Sequence, residues 1–181
     1  KRSVDLFHHF DESIGGDPGF VNCGWAFLTP ESVSDGFAAN IAMGQRLGVE
    51  VRELSRAELN EIEPRIDLAD VHRIAYEPGS GYADPRASVH AYVERFIDMG
   101  GTLQQLTTVE GLHTSGSAVR GVQTNNGSIS TDIIVNAAGP WADRIARWAG
   151  IEVPLQIPRE EEIVFATSRA GGPPALCFSD M

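Results

Sequence analysis

Residues 131–150 read TDIIVNAAGPWADRIARWAG, and the order of residue types in this stretch decides the fold. Ile133, Ile134 and Val135 make an apolar run of the kind that fills a buried strand. Asn136 leads into Ala137, Ala138 and Gly139, three tiny side chains in a row. Pro140 and Trp141 then open an amphipathic helix, which carries Trp141, Ile145, Trp148 and Ala149 on one side and closes at Gly150. Tiny residues where a strand becomes a helix let another group approach the backbone. Amides there can face a ligand, and a helix N-terminus favours negative charge. The plain alternative is an ordinary tight strand–helix junction. The shared stripe predicts core positions for Trp141 and Trp148.

Upstream, Asn126-Gly127 is a hairpin signal, because both residues tolerate positive φ. It joins predicted strands at residues 118–124 and 128–135, with earlier strands at 102–106 and 108–112. Asp84-Pro85 is the clearest helix start, a capping residue followed by a proline at the first helical position. Val89, Tyr92, Val93, Phe96 and Ile97 follow as one apolar stripe, and Gly100-Gly101 ends the helix. Ser55-Arg56-Ala57-Glu58 is a capping box, and its helix should stop at Pro64. Residues 20–29 read as a strand, and Pro30 starts a helix with Val33, Phe37, Ile41 and Gly44 on one face. Residues 74–77 read as a short strand before the turn Gly79-Ser80-Gly81. Residues 1–18 read as the tail of a helix running into a glycine turn. Downstream, residues 155–167 read as a strand interrupted by the charges Arg159 to Glu162, and Gly171-Gly172-Pro173-Pro174 as a loop.

This alternation predicts an α/β protein of mixed α+β character. One group of elements spans 1–18 and 82–150, the other 19–81 and 151–181, so the two are interleaved in sequence.

The chain has 181 residues, a hydrophobic fraction of 42% and a net charge of −11. Disorder is excluded by the first two, and nonspecific nucleic-acid binding is disfavoured because phosphates would be repelled. No apolar run reaches membrane-spanning length. The chain opens on Lys1 rather than methionine and shows no signal-peptide pattern, so the natural N-terminus is expected upstream. Cys23 and Cys177 lie far apart in sequence; no disulfide framework is predicted, and a cytoplasmic setting is the default expectation. His8, His9, His72, His90 and His113 show no metal-ligand spacing. The glycines nearest a G-x-G-x-x-G phosphate turn are Gly79 and Gly81, but Asp84 takes the last position, so this stretch cannot form that turn.

The ordered set of short motifs resembles the D-amino-acid oxidase superfamily, in its sarcosine and glycine oxidase-like branch. The resemblance runs through Lys1-Arg2-Ser3, Gly24-Trp25-Ala26-Phe27-Leu28, Pro78-Gly79-Ser80-Gly81, Asp84-Pro85, Thr107-Thr108-Val109, Ala137-Ala138-Gly139-Pro140-Trp141 and Pro154-Leu155-Gln156-Ile157-Pro158-Arg159. It implies an internal fragment, lacking the N-terminal glycine motif and the C-terminal part. It implies FAD as cofactor, with residues 1–18 and 82–150 in a partial FAD-binding domain and 19–81 and 151–181 in a partial antiparallel-sheet substrate domain. By the same resemblance, the Val109 backbone contacts the adenine, Ala137, Ala138 and Gly139 lie beside the dinucleotide, and Trp141 starts the following helix. An adenine edge can pair with backbone amides alone, although an ordinary strand valine is the simpler reading of Val109.

The implied reaction is oxidation of the C–N bond of an amino acid or N-methyl amino acid, with hydride passing to flavin. The alternatives are dehydrogenation of a 2-hydroxy acid or glycerol phosphate, or a noncatalytic oxidase-like subunit. An amino-acid carboxylate calls for arginine or lysine, which makes Arg159 a weak substrate-binding candidate. An arginine paired at the surface with Glu160, Glu161 or Glu162 is the simpler reading. The expected partner is a small amine or amino acid. Exposed sheet edges make a homo-oligomer plausible.

Overall fold

The computed structural model describes residues 1–33, 36–159 and 176–180 and divides the chain into two units, Lys1–Thr102 with Ala166–Met181, and Leu103–Phe165. The mixed α/β class stands, with helices set against one mixed sheet and one antiparallel sheet.

In the first unit, α1 (Arg2–His8) and α2 (Phe10–Ser13) run into the turn at Gly15 and Gly16. Their aromatic residues pack as a group: Phe7 stacks on Phe10 and Phe20, and Phe10 meets Tyr92 edge-on at 5.6 Å between ring centres. The predicted strand over 20–29 is shorter than its apolar pattern suggested. It begins as β1 (Trp25–Thr29), because Gly24 turns the chain with φ +80°. A Cβ at Gly24 would run into the Tyr76 ring, so this position needs glycine for space as well as for conformation.

The helix predicted from Pro30 is also shorter. A single 3-10 turn covers Glu31–Val33, and α3 (Phe37–Arg46) starts only after Gly36, whose φ is +81°. Of the predicted face, Phe37 is buried, Ile41 half-buried, and Gly44 lies against Val51. β2 (Arg52–Leu54) follows, then α4 (Arg56–Ile62) with both hydrogen bonds of the Ser55/Glu58 capping box formed. β3 (Arg73–Glu77) matches the strand predicted there.

α5 (Pro85–Asp98) starts at the predicted cap: the Asp84 carboxylate accepts the amides of Arg86 and Ala87 at 2.8 and 3.1 Å. These amide bonds, first Ala87's and then Arg86's, hold the Asp84 carboxyl below the usual aspartate range. A depressed folded-state pKa adds stability above about pH 4 that disappears on acidification. The stability gap between wild type and Asp84→Ala is therefore expected to narrow in denaturation curves run from about pH 6 down to about pH 3. A gap that widens on acidification would contradict this role.

The apolar stripe of α5 departs from expectation. Ser88 and Ala91 are buried, whereas Val89, Tyr92, Phe96 and Ile97 are exposed. Small residues let the helix sit close to its neighbours; of the large ones Tyr92 meets Phe10 edge-on yet stays half open, and Val89, Phe96 and Ile97 remain about half exposed or more.

The second unit is built on an antiparallel meander, β4 (Val109–Ser115), β5 (Ala118–Thr124) and β6 (Gly127–Ser130), in that spatial order. The last hairpin turns on Asn125 and Asn126, with Thr124 opposite Gly127. Only Gly127 takes positive φ, so the predicted hairpin forms with its glycine after the turn. The strand predicted at 102–106 is absent; Leu106 instead sits in a turn with φ +54°.

The run Ile133-Ile134-Val135 is not a strand either. Ile133 and Val135 are 80% and 84% exposed. A strand persists only where a neighbouring strand takes its backbone hydrogen bonds, and no described strand of this unit pairs with the run; the Ile133 amide and carbonyl bond the Thr131 hydroxyl instead. Pro140 and Trp141 belong to a 3-10 turn (Gly139–Trp141), and α6 (Ala142–Trp148) begins after it, lying against β4. Ala146 is the buried residue of α6, while Trp141 and Trp148 are exposed, contrary to the core positions predicted for them. Residues 155–159 form no strand. Pro154 and Pro158 bring no amide donors to a ladder. The rest of that predicted strand, with Glu160 to Glu162 and the 171–174 loop, lies outside the described residues.

β7 (Cys177–Asp180) returns to the first unit and completes a sheet of order β2-β3-β1-β7. β2, β3 and β1 are antiparallel, and β7 runs parallel to β1 with Trp25 opposite Cys177. Alternation along the strands gives the sheet two apolar faces. Ala26, Leu28, Leu54 and Ile74 pack with Leu59, Val71 and Leu176 on one face. Phe37, Val51 and Ala75 pack on the other, with Phe27, Ile41 and Val49 beside them.

Candidate cofactor-facing segment

The loop from Asn136 to Trp141 is organised by one side chain. Asn136 Oδ1 accepts the Ala138 amide at 3.3 Å, and Asn136 Nδ2 donates to the Ala142 carbonyl at 2.8 Å. The Trp141 amide closes the turn on the Ala138 carbonyl at 3.0 Å. Asparagine readily makes this kind of local turn. Its residue type and place just before the tiny run were the available signal for a stapling role that the motif reading passed over.

Gly139 takes φ +52°, and a Cβ built there would meet no atom within 4 Å. The space beside it is therefore open, not filled by side chains. The Ala138 amide is spent on Asn136, but the amides of Ala137 and Gly139 have no acceptor among the described residues. Two donors beside bare backbone suit a flat polar group laid along the chain. They do not make a phosphate clamp. α6 has only seven residues, and its first turn carries Asp143, paired with Arg147. A short dipole opposed by a carboxylate contributes little positive potential.

Val109 opens β4, which is an edge strand. The Asn125 amide donates to the Thr108 carbonyl at 3.1 Å, and the Thr108 amide donates to Asn125 Oδ1 at 2.8 Å. Thr108 thus faces β5, and alternation turns the Val109 amide and carbonyl to the outer edge of the sheet. Val109 faces Thr124 in that ladder, beside a register shift between Val109 and Gly111. Its backbone N–H and C=O are thereby turned away from β5. The sequence motif named the residue; only the register shows which way its amide points.

Arg159 is exposed, outside any strand. The second unit therefore brings Val109 and Ala137 to Trp141 into one body, and leaves Arg159 on its surface.

Four of the five histidines have side-chain partners, His9 Nδ1 lying 2.9 Å from the Asp5 carbonyl. His8 Nε2 lies 3.0 Å from the Gly79 carbonyl, His90 pairs with Glu94 one turn along α5, and His113 meets Ser128. Among the described residues no cluster of three potential metal ligands occurs, and no helix is long and apolar enough to cross a membrane.

The FAD dependent oxidoreductase (DAO) family model matches residues 1–178, and the chain belongs to that family. Human mitochondrial sarcosine dehydrogenase is 30% identical over 151 residues, 80% of this chain and 16% of that protein. Rat mitochondrial dimethylglycine dehydrogenase is 27% identical over 168 residues, 92% of this chain and 19% of that protein. Among solved structures, L-proline dehydrogenase from P. horikoshii superposes with a TM-score of 0.74 at 32% identity, over 87% of this chain and 41% of that one. The chain thus spans less than a fifth of the length of these two curated relatives.

Proposed function

We propose that the full-length protein is an FAD-dependent oxidoreductase that oxidises the C–N bond of a small amino acid bearing an N-alkyl group. Family membership over residues 1–178 supports the reaction class. The substrates in the names of three similar proteins, sarcosine, dimethylglycine and L-proline, are all secondary or tertiary α-amino acids. The observation that carries the reading is the open backbone at Ala137 and Gly139 in the same unit as the outward-facing Val109 backbone.

In this proposal residues 1–18 and 82–150 belong to the cofactor side, and 19–81 and 151–181 to the substrate side. Ala137, Ala138 and Gly139 line the dinucleotide with bare backbone, Val109 offers its amide and carbonyl to the adenine edge, and Trp141 anchors the turn that follows. Bound FAD supplies the two-electron acceptor for the amine's hydride. The chain's own part is to bind and orient. Arg159 stays the candidate for the substrate carboxylate.

The test is the full-length protein, purified and mixed anaerobically with a substrate panel while its flavin absorbance is followed. Bleaching by sarcosine, dimethylglycine or proline is the expected result. Bleaching only by 2-hydroxy acids or glycerol phosphate would move the protein to the alternative substrate class, and a colourless protein that takes up no FAD would end the proposal. Arg159→Ala is expected to raise KM about tenfold or more, the loss of one charge-assisted contact. An unchanged KM assigns Arg159 to the surface.

A further inference from the structure

Cys23 and Cys177 stand 154 positions apart in sequence, yet their Sγ atoms are 3.6 Å apart in the first unit. The fold builds this approach from backbone. Cys177 is the first residue of β7, and its amide donates to the Gly24 carbonyl at 3.0 Å. Two residues on, Trp25 Nε1 donates to Ser179 Oγ at 3.1 Å across the same pair of strands. Cys23 lies just before the Gly24 turn that leads into β1, and the Gly24 contact to Cys177 holds the start of β7 beside it. Disulfide formation has to bring the sulfurs from 3.6 Å to about 2.05 Å. Both side chains are partly exposed, so a small oxidant reaches them.

We propose that Cys23 and Cys177 form a reversible dithiol site that hydroperoxides close into a disulfide, clasping β7 to β1. Cys23 sulfur attacks the peroxide, the O–O bond breaks, and Cys23 becomes a sulfenic acid with release of one water. Cys177 sulfur then attacks the Cys23 sulfur; the S–S bond forms, and the S–O bond breaks as the hydroxyl leaves with the Cys177 proton as a second water. Two thiols and one hydrogen peroxide thus give one disulfide and two waters. Burial, followed by the neighbouring Cys23 thiol, pushes the Cys177 thiol up to about 11. Cys177 is thereby kept largely protonated near neutral pH, so the first attack on peroxide is assigned to Cys23, and the second step draws on the small thiolate fraction of Cys177. The inference rests on the strand pairing and is independent of the substrate proposed above.

The test uses the full-length protein. It is exposed to hydrogen peroxide, its remaining thiols are alkylated, and its proteolytic peptides are weighed. The expected result is a linked peptide joining Cys23 to Cys177 that disappears on treatment with dithiothreitol, together with a rise in melting temperature over the reduced protein. In Cys177→Ser the same dose should leave Cys23 as a sulfenic acid captured by dimedone. Recovery of both cysteines as alkylated thiols after peroxide would overturn the proposal. So would oxidation of each singly to sulfinic or sulfonic acid, with no linked peptide. The wild-type measurement decides the matter whether or not the variant folds.

Discussion

Gly139→Val is expected to strip FAD from the full-length protein, raising its Kd by about 10- to 100-fold. The residue holds φ +52° in the loop stapled by Asn136, and the space beside it is open. A β-branched side chain there costs roughly 1–3 kcal/mol in backbone strain if the loop keeps its shape. If the loop relaxes instead, the Ala137 and Gly139 amides leave the positions that the Asn136 turn gives them. Either route leaves less backbone for the dinucleotide, and each 1.4 kcal/mol is about a factor of ten in affinity. Gly116→Val supplies the control. It also replaces a glycine of positive φ, +61°, with open space around it, but in the tip of the β4–β5 hairpin. Equal loss of FAD in both variants would mean that general strain, not the bare crevice, is responsible.

Leu59→Ala is expected to cost about 2–5 kcal/mol of unfolding free energy, the range for deleting a buried leucine side chain. Leu59 has 0% exposure and packs from α4 onto the sheet with Leu28, Leu54 and Ile74. Leu47→Ala, at 68% exposure just after α3, should stay within about 0.5 kcal/mol of wild type. Urea denaturation of the two variants separates them. Equal midpoints would contradict the placement of the core under α4.

Short-range chemistry was legible along the chain. The Ser55/Glu58 box and the Asp84-Pro85 start form as their side chains dictate, because each bond reaches no further than three residues. The Asn126-Gly127 signal marked its hairpin for the same reason, although the turn itself falls on Asn125 and Asn126. Stripes read as core were less informative. Tyr92 and Phe96 on α5, Trp141 in the turn before α6 and Trp148 on α6 are apolar at helical spacing but exposed here. Periodicity reports which face is apolar; it does not say whether a partner is present to cover it. The strand at Ile133 to Val135 fails on the same ground, since its hydrogen bonds need a neighbour.

At the candidate site the division is similar. The run Ala137-Ala138-Gly139 showed where side chains are small, and Gly139 showed where φ can turn positive. The direction of the Val109 amide depends on the pairing of Thr108 with Asn125, a register set by two strands together.

What the sequence by itself determined is therefore local: helix caps, tight turns, the tiny-residue loop, and the family to which its motif order belongs. Tertiary structure alone decided which apolar faces are covered, which backbone edge of β4 is open, and that two cysteines 154 positions apart come into contact. The physical reason is range. A cap or turn is satisfied by atoms a few residues away, whereas burial, register and thiol approach depend on which distant segments the folded chain sets side by side.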